Sequence, residues 1–206
     1  MTKTKIDGYL DETKMVEVIR VYCNHYDYEF LGTQLKFDWS ERFSFDCGYV
    51  KNNETVLVEY DGSRHYTDNA SIERDRRKDL LVHRNNARII RVPYWVQFRC
   101  SCVFNQLFHD NLEIEQSFPH GFITHTVILP GTFCYAGTKR FMREIHQLSW
   151  DVRQQIIASL YWQQDRRNWP ADLVFGSLCR RYGRHGMTDT MIRTCEWLDD
   201  TGFGNF

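Results

Sequence analysis

The stretch that decides the fold is FSFDCGYVKNNETVLVEYDGSRHY, residues 43–66. Apolar and polar residues alternate over residues 42–50, which is typical of a strand with one buried face. A second strand is predicted over residues 55–61, where the sequence is mostly apolar. The intervening KNNE favours a turn, because asparagine tolerates left-handed backbone angles. The stretch therefore predicts a β-hairpin.

Three carboxylates lie on this hairpin, and a two-residue turn would bring them to one face. If Asn52 and Asn53 form the turn, Asp46 lies directly opposite Glu59, and Asp61 projects from the same face. Directly opposite side chains have Cβ atoms ~4.5–5.5 Å apart, where like charges are destabilising. Either this face is solvated or a divalent cation lies between the acids. The apolar second strand favours the cation, because free acids are costly in a central strand.

The segment after the hairpin predicts a basic helix followed by a third strand. A helix is expected from Ser71, as its cap, to about residue 85 or 86, and a strand over residues 87–92. A connection of this length favours a crossover that puts the third strand parallel to the second. A run of basic residues is usually a solvated helix face, but beside an acidic metal pocket it indicates neutralisation of phosphates. Residues 71–91 carry three acids against seven basic residues: Arg74, Arg76, Arg77, Lys78, Arg84, Arg88 and Arg91.

Composition limits the classes of protein. The 206 residues are 42% hydrophobic and 26% charged with a formal net charge of −1, which indicates one sizeable core and no global positive field. The seven cysteines are odd in number and scattered, so we interpret them as reduced thiols. No apolar run approaches the ~18 residues of a membrane span, and the N-terminus has no apolar signal core. We therefore expect a cytoplasmic protein with no membrane partner.

Three segments carry a resemblance to a known superfamily. FSFD at residues 43–46, VLVEYDGSRHY at 56–66 and IERDRRKDLLVHRNNARIIRVPYW at 72–95 resemble the PD-(D/E)XK nucleases. The branch that they resemble contains the very-short-patch repair endonucleases and related restriction-type endonucleases. The resemblance implies an α/β fold: a restriction-endonuclease-like core with a mixed central sheet flanked by helices, plus a mainly helical C-terminal lobe.

The resemblance also implies a set of catalytic residues at the end of the hairpin. Asp46 corresponds to the first metal-binding aspartate of the superfamily, and Glu59 corresponds to its second acid. Asp61 occupies the position where a lysine is expected. His65 is therefore the candidate for the role of that lysine in proton transfer. The expected metal ligands are Asp46, Glu59 and Asp61, with Mg²⁺ as the cofactor and Mn²⁺ as its substitute.

Further residues are expected around this set. An acid of the first helix, Glu12 or Glu17, often joins such sites, and the sequence does not choose between them. Asp75 is expected outside the metal ligands, where it could orient His65. Phosphate groups of the nucleic acid are expected to be held by Arg64, Arg74, Arg77 and Lys78.

The chain is predicted to divide softly near residue 117. Residues 1–117 form the nuclease core, which begins with a helix over about residues 10–26 and has another amphipathic helix after Val96. Residues 118–206 have helical periodicity from about Gly137 onward. A basic turn between two predicted helices near the end makes this region a candidate lobe for specificity, DNA contact or dimerisation. A packed helical lobe explains the same pattern.

The sequence thus predicts a metal-dependent DNA endonuclease, of restriction type or mismatch type, that hydrolyses phosphodiester bonds. Its expected partner is double-stranded DNA, and a homodimer is compatible with this function. One alternative is a structure-specific or RNA-directed nuclease on the same scaffold. Another is a nucleic-acid-binding module that has lost catalysis, although the presence of Asp46, Glu59 and His65 argues against it.

Overall fold

A four-stranded sheet lies at the centre of the structure, a computed structural model that describes residues 4–6, 10–95, 114–116 and 133–147. The strands in chain order are β1 (Thr4–Ile6), β2 (Glu29–Leu35), β3 (Phe45–Lys51), β4 (Glu54–Asp61), β5 (Arg88–Pro93) and β6 (Ile114–Gln116). The helices are α1 (Glu12–Tyr26), α2 (Arg64–Thr67), α3 (Asn69–Arg84) and α4 (Tyr135–His146). The central sheet has the order β2-β3-β4-β5, and β1 pairs with β6 in parallel as a separate two-stranded sheet.

The predicted hairpin and its register are confirmed. Strands β3 and β4 pair antiparallel from Lys51↔Glu54 to Cys47↔Val58, which leaves Asn52 and Asn53 as the turn. Both asparagines have positive φ angles, 51° and 63°, as the mirror-image turns of two-residue hairpins require. The turn therefore sets the register that brings the acids of the two strands together.

The mixed α/β sheet is also confirmed. Strands β2 and β3 are antiparallel, whereas β5 pairs in parallel with β4 after the connection through α3. The helix of that connection begins earlier than expected: Asp68, and not Ser71, is its cap, because the Asp68 carboxylate accepts the N–H groups of Ala70 and Ser71.

Strand β2 is an addition to the predicted elements. Residues 28–40 have the sequence pattern of an aromatic-rich connection, but Glu29–Leu35 forms an edge strand of the sheet. The register shifts between Phe30 and Gly32, and the glycine has a φ angle of 122°. A bulge of this kind interrupts the alternation by which a strand is recognised in sequence.

Helices cover both faces of the sheet. On one side, Tyr22 of α1 packs edge-on against Tyr49 of β3, with ring centroids 5.6 Å apart. On the other, Val82 of α3 joins Leu57 of β4 in a buried cluster. Successive residues of a strand face opposite sides, so the apolar run of β4 serves both layers.

Helix α4 packs against the core formed by the earlier residues. Gly137 lies so close to the backbone of Tyr66 that a Cβ atom there would be 1.8 Å from the Tyr66 carbonyl oxygen. Phe141 is buried and meets Trp95 edge-on at 4.8 Å. This helix, which was predicted from about Gly137, therefore contacts the core across the boundary expected near residue 117; that boundary itself stays a prediction.

Some predicted elements lie outside the described residues: the amphipathic helix after Val96, and the helices expected beyond residue 147 with their basic turn. Within the described ranges, no helix has the length and apolar character needed to cross a membrane.

Candidate functional site

The centre of the candidate site is an ion pair between α3 and β4. The Lys78 Nζ atom lies 2.6 Å from Oε2 of Glu59 and donates a hydrogen bond of 2.8 Å to the Ser44 carbonyl oxygen. Only 11% of the Lys78 side chain and 5% of the Glu59 side chain are exposed. Lys78 thus projects from the buried face of α3 toward Glu59, and its expected contact with a phosphate stays a prediction.

Asp46 lies beside this ion pair. It directly precedes Cys47, whose pairing with Val58 is the pair of the hairpin furthest from the turn. Its Oδ2 atom accepts the backbone N–H of Tyr60 at 2.7 Å. Since Tyr60 follows Glu59 directly, the bond brings Asp46 next to the glutamate, and the charge of Asp46 contributes to raising the pKa of Glu59. The predicted proximity of these two carboxylates is present in the structure.

The two acids are incompletely compensated. Burial raises the pKa of Glu59 to about 7, although Lys78 acts in the opposite direction. Burial also raises the pKa of Asp46, with a further contribution from the charge of Glu12. Oε1 of Glu59 is buried without a hydrogen-bond partner among the described residues. Buried carboxylate oxygens that lack donors are suitable ligands for a hard divalent cation, so these residues fit a magnesium or manganese site.

Glu12, at the start of α1, is the acid of the first helix that borders this pair. Its negative charge adds to the effect of burial in raising the pKa of Asp46. The Gln34 side chain donates from Nε2 to Oε1 of Glu12 at 3.2 Å and accepts from Ser44 Oγ at 3.5 Å. Gln34 has a left-handed φ angle of 48°, and nothing in the sequence pattern predicted its position at this rim.

Asp61 lies in a second cluster, which is rich in arginine. Its Oδ1 atom accepts from Arg91 Nη1 at 2.8 Å, and its Oδ2 atom accepts from Arg140 Nη2. Ligand atoms of Asp61, His65 and Asp75 lie within 4.8 Å of one another and could in principle surround a cation. Here, however, the guanidinium groups occupy both oxygens of Asp61, so the expectation that Asp61 is a metal ligand gains no support from this geometry.

His65 is oriented by the acids of this second cluster. Its Nδ1 atom lies 2.6 Å from Oδ2 of Asp75 and 3.3 Å from Oδ1 of Asp61. Burial lowers the pKa of His65, but the hydrogen bond to Asp75 and the two negative charges outweigh it, and the net shift is upward. Burial raises the pKa of Asp75, but His65 and the arginines outweigh that effect and hold it below its ordinary value. An ionised Asp75 accepts the Nδ1 proton, which leaves Nε2 as the nitrogen for chemistry.

The remaining predicted phosphate-binding residues, Arg64, Arg74 and Arg77, are exposed. Arg74 Nη2 donates to Ser71 Oγ at 2.8 Å, and Arg77 Nη2 lies 2.7 Å from Oε2 of Glu41. The exposed ion pair of Arg77 with Glu41 contributes little to stability. These arginines therefore remain accessible to an external anion.

The site as a whole has two adjoining parts. Asp46, Glu59 and Lys78 form an acidic pocket, with Glu12 at its rim, and His65 belongs to the arginine-rich cluster that begins at Asp61. Comparison of the chain with protein-family models, with curated proteins and with solved structures finds no match.

Proposed function

We propose that the protein is a metal-dependent endonuclease with a restriction-endonuclease-like core, and that its substrate is double-stranded DNA. The observation that carries this proposal is the meeting of Asp46, Glu59 and Lys78 at the end of the hairpin. Two carboxylates and one ammonium group supply cation ligands and a positive charge in one pocket. Hydrolysis of a phosphodiester requires both, because negative charge develops on the phosphate oxygens.

Asp46 and Glu59 would hold the cation, and Glu12 of the first helix, whose charge acts on Asp46, is the candidate for a further ligand. Oε1 of Glu59 has no hydrogen-bond partner among the described residues and is thus free to act as a ligand. Mg²⁺ or Mn²⁺ bound there would lower the pKa of a coordinated water and neutralise charge on the phosphate. Asp61 is left out of this ligand set, because two arginines hold its carboxylate.

In this proposal, Lys78 has the catalytic role that the superfamily pattern gives to a lysine at position 61. In the nucleases that the sequence resembles, that lysine follows the second acid in the same strand. Here the ammonium group of Lys78 reaches Glu59 from α3. It would orient the attacking water or stabilise the charge that develops on the phosphate. His65, with Nδ1 held by Asp75, would donate a proton from Nε2 to the leaving oxygen.

The surface of α2 and α3 would contact the DNA backbone. Arg64, Arg74 and Arg77 are exposed there and can neutralise phosphates without reading the bases. Loss of one of them should weaken binding to all sequences alike and reduce its salt dependence. The role of residues 118–206 in specificity, DNA contact or dimerisation belongs to the same proposal, as does a cytoplasmic location.

The test is cleavage of plasmid DNA in the presence of Mg²⁺ or Mn²⁺. Wild-type protein should cut, Asp46→Asn and Glu59→Gln should not, and Glu73→Gln is the matched control because its carboxylate is exposed on α3. Calorimetric titration with Mn²⁺ should show the same order of variants. Cutting that persists in both active-site variants would refute the assignment.

Two other outcomes separate the alternatives. Cleavage restricted to RNA or branched DNA would favour a structure-specific or RNA-directed nuclease. Tight binding of nucleic acid, with no cleavage of any substrate and no Mn²⁺ binding, would favour an inactive binding module.

A further inference from the structure

Arg140 of α4 enters the candidate site from a distant part of the chain. It follows Asp61 by 79 residues, yet its guanidinium group contacts that carboxylate directly. Only 7% of the side chain is exposed. A buried arginine is costly unless its donors are satisfied, so its contacts are decisive for how this region is organised.

Each of the three guanidinium nitrogens of Arg140 donates to an acidic side chain. Nη2 donates to Oδ2 of Asp61, Nη1 donates to Oδ2 of Asp75 at 2.5 Å, and Nε donates to Oε1 of Glu144 at 2.7 Å. The group also lies over the Tyr66 ring, 5.0 Å from its centroid. The planar fork of arginine bridges two carboxylates at fixed geometry, whereas the ammonium of lysine is a point charge without a rigid fork.

The two carboxylates bridged by Arg140 are those that contact His65. Asp61 ends β4, and Asp75 lies on α3, so Arg140 fixes the separation of a strand end and a helix. The imidazole lies in the space that this separation defines, with Nδ1 directed at Asp75. Arg91 contacts the same two acids from β5, but through Oδ1 of each, whereas Arg140 holds Oδ2 of each.

We propose that Arg140 is a positioning residue: it holds Asp61 and Asp75 so that the His65 ring keeps one orientation beside the metal-binding acids. This inference rests on the proposed nuclease function, and it makes α4 a required part of the catalytic unit. Arg140 acts through the two carboxylates, without contact to the DNA. Its loss should therefore lower the rate of the chemical step and leave substrate binding unchanged.

The first experiment measures the orientation of His65 without any nuclease assay. A proton held between Nδ1 and a carboxylate gives a downfield resonance in the NMR spectrum of the full chain, assigned by its loss in His65→Gln. It should be present in wild type and lost or broadened in Arg140→Gln. Lys139→Gln is the matched control, because Lys139 is adjacent on the same helix and lies over the exposed ring of Tyr135.

The second experiment measures cleavage kinetics. For Arg140→Gln, kcat should fall by at least about tenfold with KM within about twofold of wild type, as expected when a group is misplaced and substrate contacts are intact. Arg140→Lys should recover part of the rate, since lysine keeps the positive charge but lacks the planar fork. In Arg140→Ala, millimolar guanidinium should restore activity, and the same concentration of urea should not.

Unfolding curves of every variant identify those that remain folded. If Arg140→Gln and Arg140→Ala do not fold, Arg140→Lys is the variant on which the kinetics and the resonance are measured. A folded Arg140→Gln or Arg140→Lys with wild-type kcat and an unchanged His65 resonance would overturn the inference. A fall in kcat with an unchanged resonance would overturn it as well. If wild type does not cleave but the resonance depends on Arg140, the nuclease proposal fails while the positioning role stands.

Discussion

The Lys78 ammonium nitrogen lies 2.6 Å from the Glu59 carboxylate, and both side chains are almost wholly buried. Glu59 also has Asp46 as a neighbour and one oxygen without a hydrogen-bond partner among the described residues. The Lys78 ammonium thus faces two acids, and the charge of Arg91 acts on Glu59 in the same direction. The pocket is electrostatically incomplete, and an additional cation would complete it.

Replacement of Lys78 by methionine should disable this pocket. The variant keeps the length of the side chain but removes the charge that lowers the pKa of Glu59, so this pKa should rise above about 7. Cleavage should fall by about 10²–10⁴-fold, the range for loss of a positioned acid, base or charged group. The free energy of unfolding at pH 8 should fall by about 1–3 kcal/mol, less than for an uncompensated buried charge, because Glu59 can take up a proton.

The control for this prediction is Arg76→Met. Arg76 lies on the same helix with 57% of its side chain exposed, so the change should cost less than about 0.5 kcal/mol. Combination of Lys78→Met with Glu59→Gln should recover stability, with a coupling free energy of about 1–3 kcal/mol in denaturant unfolding. Strict additivity of the two single changes would contradict the buried pair.

Replacement of Asp61 by asparagine separates two roles of this residue. If Asp61 holds Arg91 and Arg140, as the contacts indicate, the change leaves two buried cations undercompensated and lowers stability by about 3–5 kcal/mol. The folded variant should still bind Mn²⁺ within about threefold of wild type in calorimetry, since Asp46 and Glu59 remain. Loss of Mn²⁺ binding at unchanged stability would instead make Asp61 a ligand.

The local part of this design could be read from sequence. The Asn52–Asn53 turn fixes the hairpin register, and the register places Asp46 close to Glu59; both follow from contacts between residues near in sequence. The strand–helix–strand order from β4 to β5 follows equally from local patterns.

The missed features depend on tertiary contacts. The sequence shows that Lys78 belongs to a basic run, but which face of α3 is buried is decided by packing against Phe45 and Leu57. Arg140 is still less accessible to sequence reasoning, because its partner Asp61 is 79 residues away and no motif connects them. Strand β2 was missed because its bulge interrupts the alternation.

The pH dependence of stability should reveal the charge on His65. Its pKa in the folded protein lies above the ordinary 6.5, so its contribution to stability is complete below pH 6.5 and is lost as pH rises through the folded pKa. The charges that face the ring are Asp61 and Asp75, opposed by Arg140. Denaturant unfolding at intervals between pH 6 and pH 9 should show this decline in wild type and a flatter profile in His65→Gln.

His25→Gln is the control for the histidine, because His25 is exposed at the end of α1. A His65→Gln profile that runs parallel to wild type above pH 6.5 would show that the ring is not charged in the folded protein.

Asp75 gives the opposite test in acid. The pKa of Asp75 is lowered, so its contribution to stability is present above pH 3.8 and is lost as pH falls through the folded pKa.

Replacement of Gly137 by alanine should separate α4 from the core. Alanine has a higher helix propensity than glycine by about 1 kcal/mol, so an unpacked helix would be stabilised by this change. In the docked helix the new Cβ would lie 1.8 Å from the Tyr66 carbonyl oxygen, and a backbone atom cannot move aside as a side chain can. The free energy of unfolding should therefore fall by about 1–3 kcal/mol or more.

Gly62→Ala is the matched control, because a Cβ at Gly62 meets no atom within 4 Å. That change should alter stability by no more than about 1 kcal/mol, in either direction. Since α4 carries Arg140, Gly137→Ala should also disturb the His65 resonance, whereas Gly62→Ala should preserve it. A Gly137→Ala variant that is more stable than wild type would mean that α4 does not dock on Tyr66, and the contacts of Arg140 with Asp61 and Asp75 would fall with it.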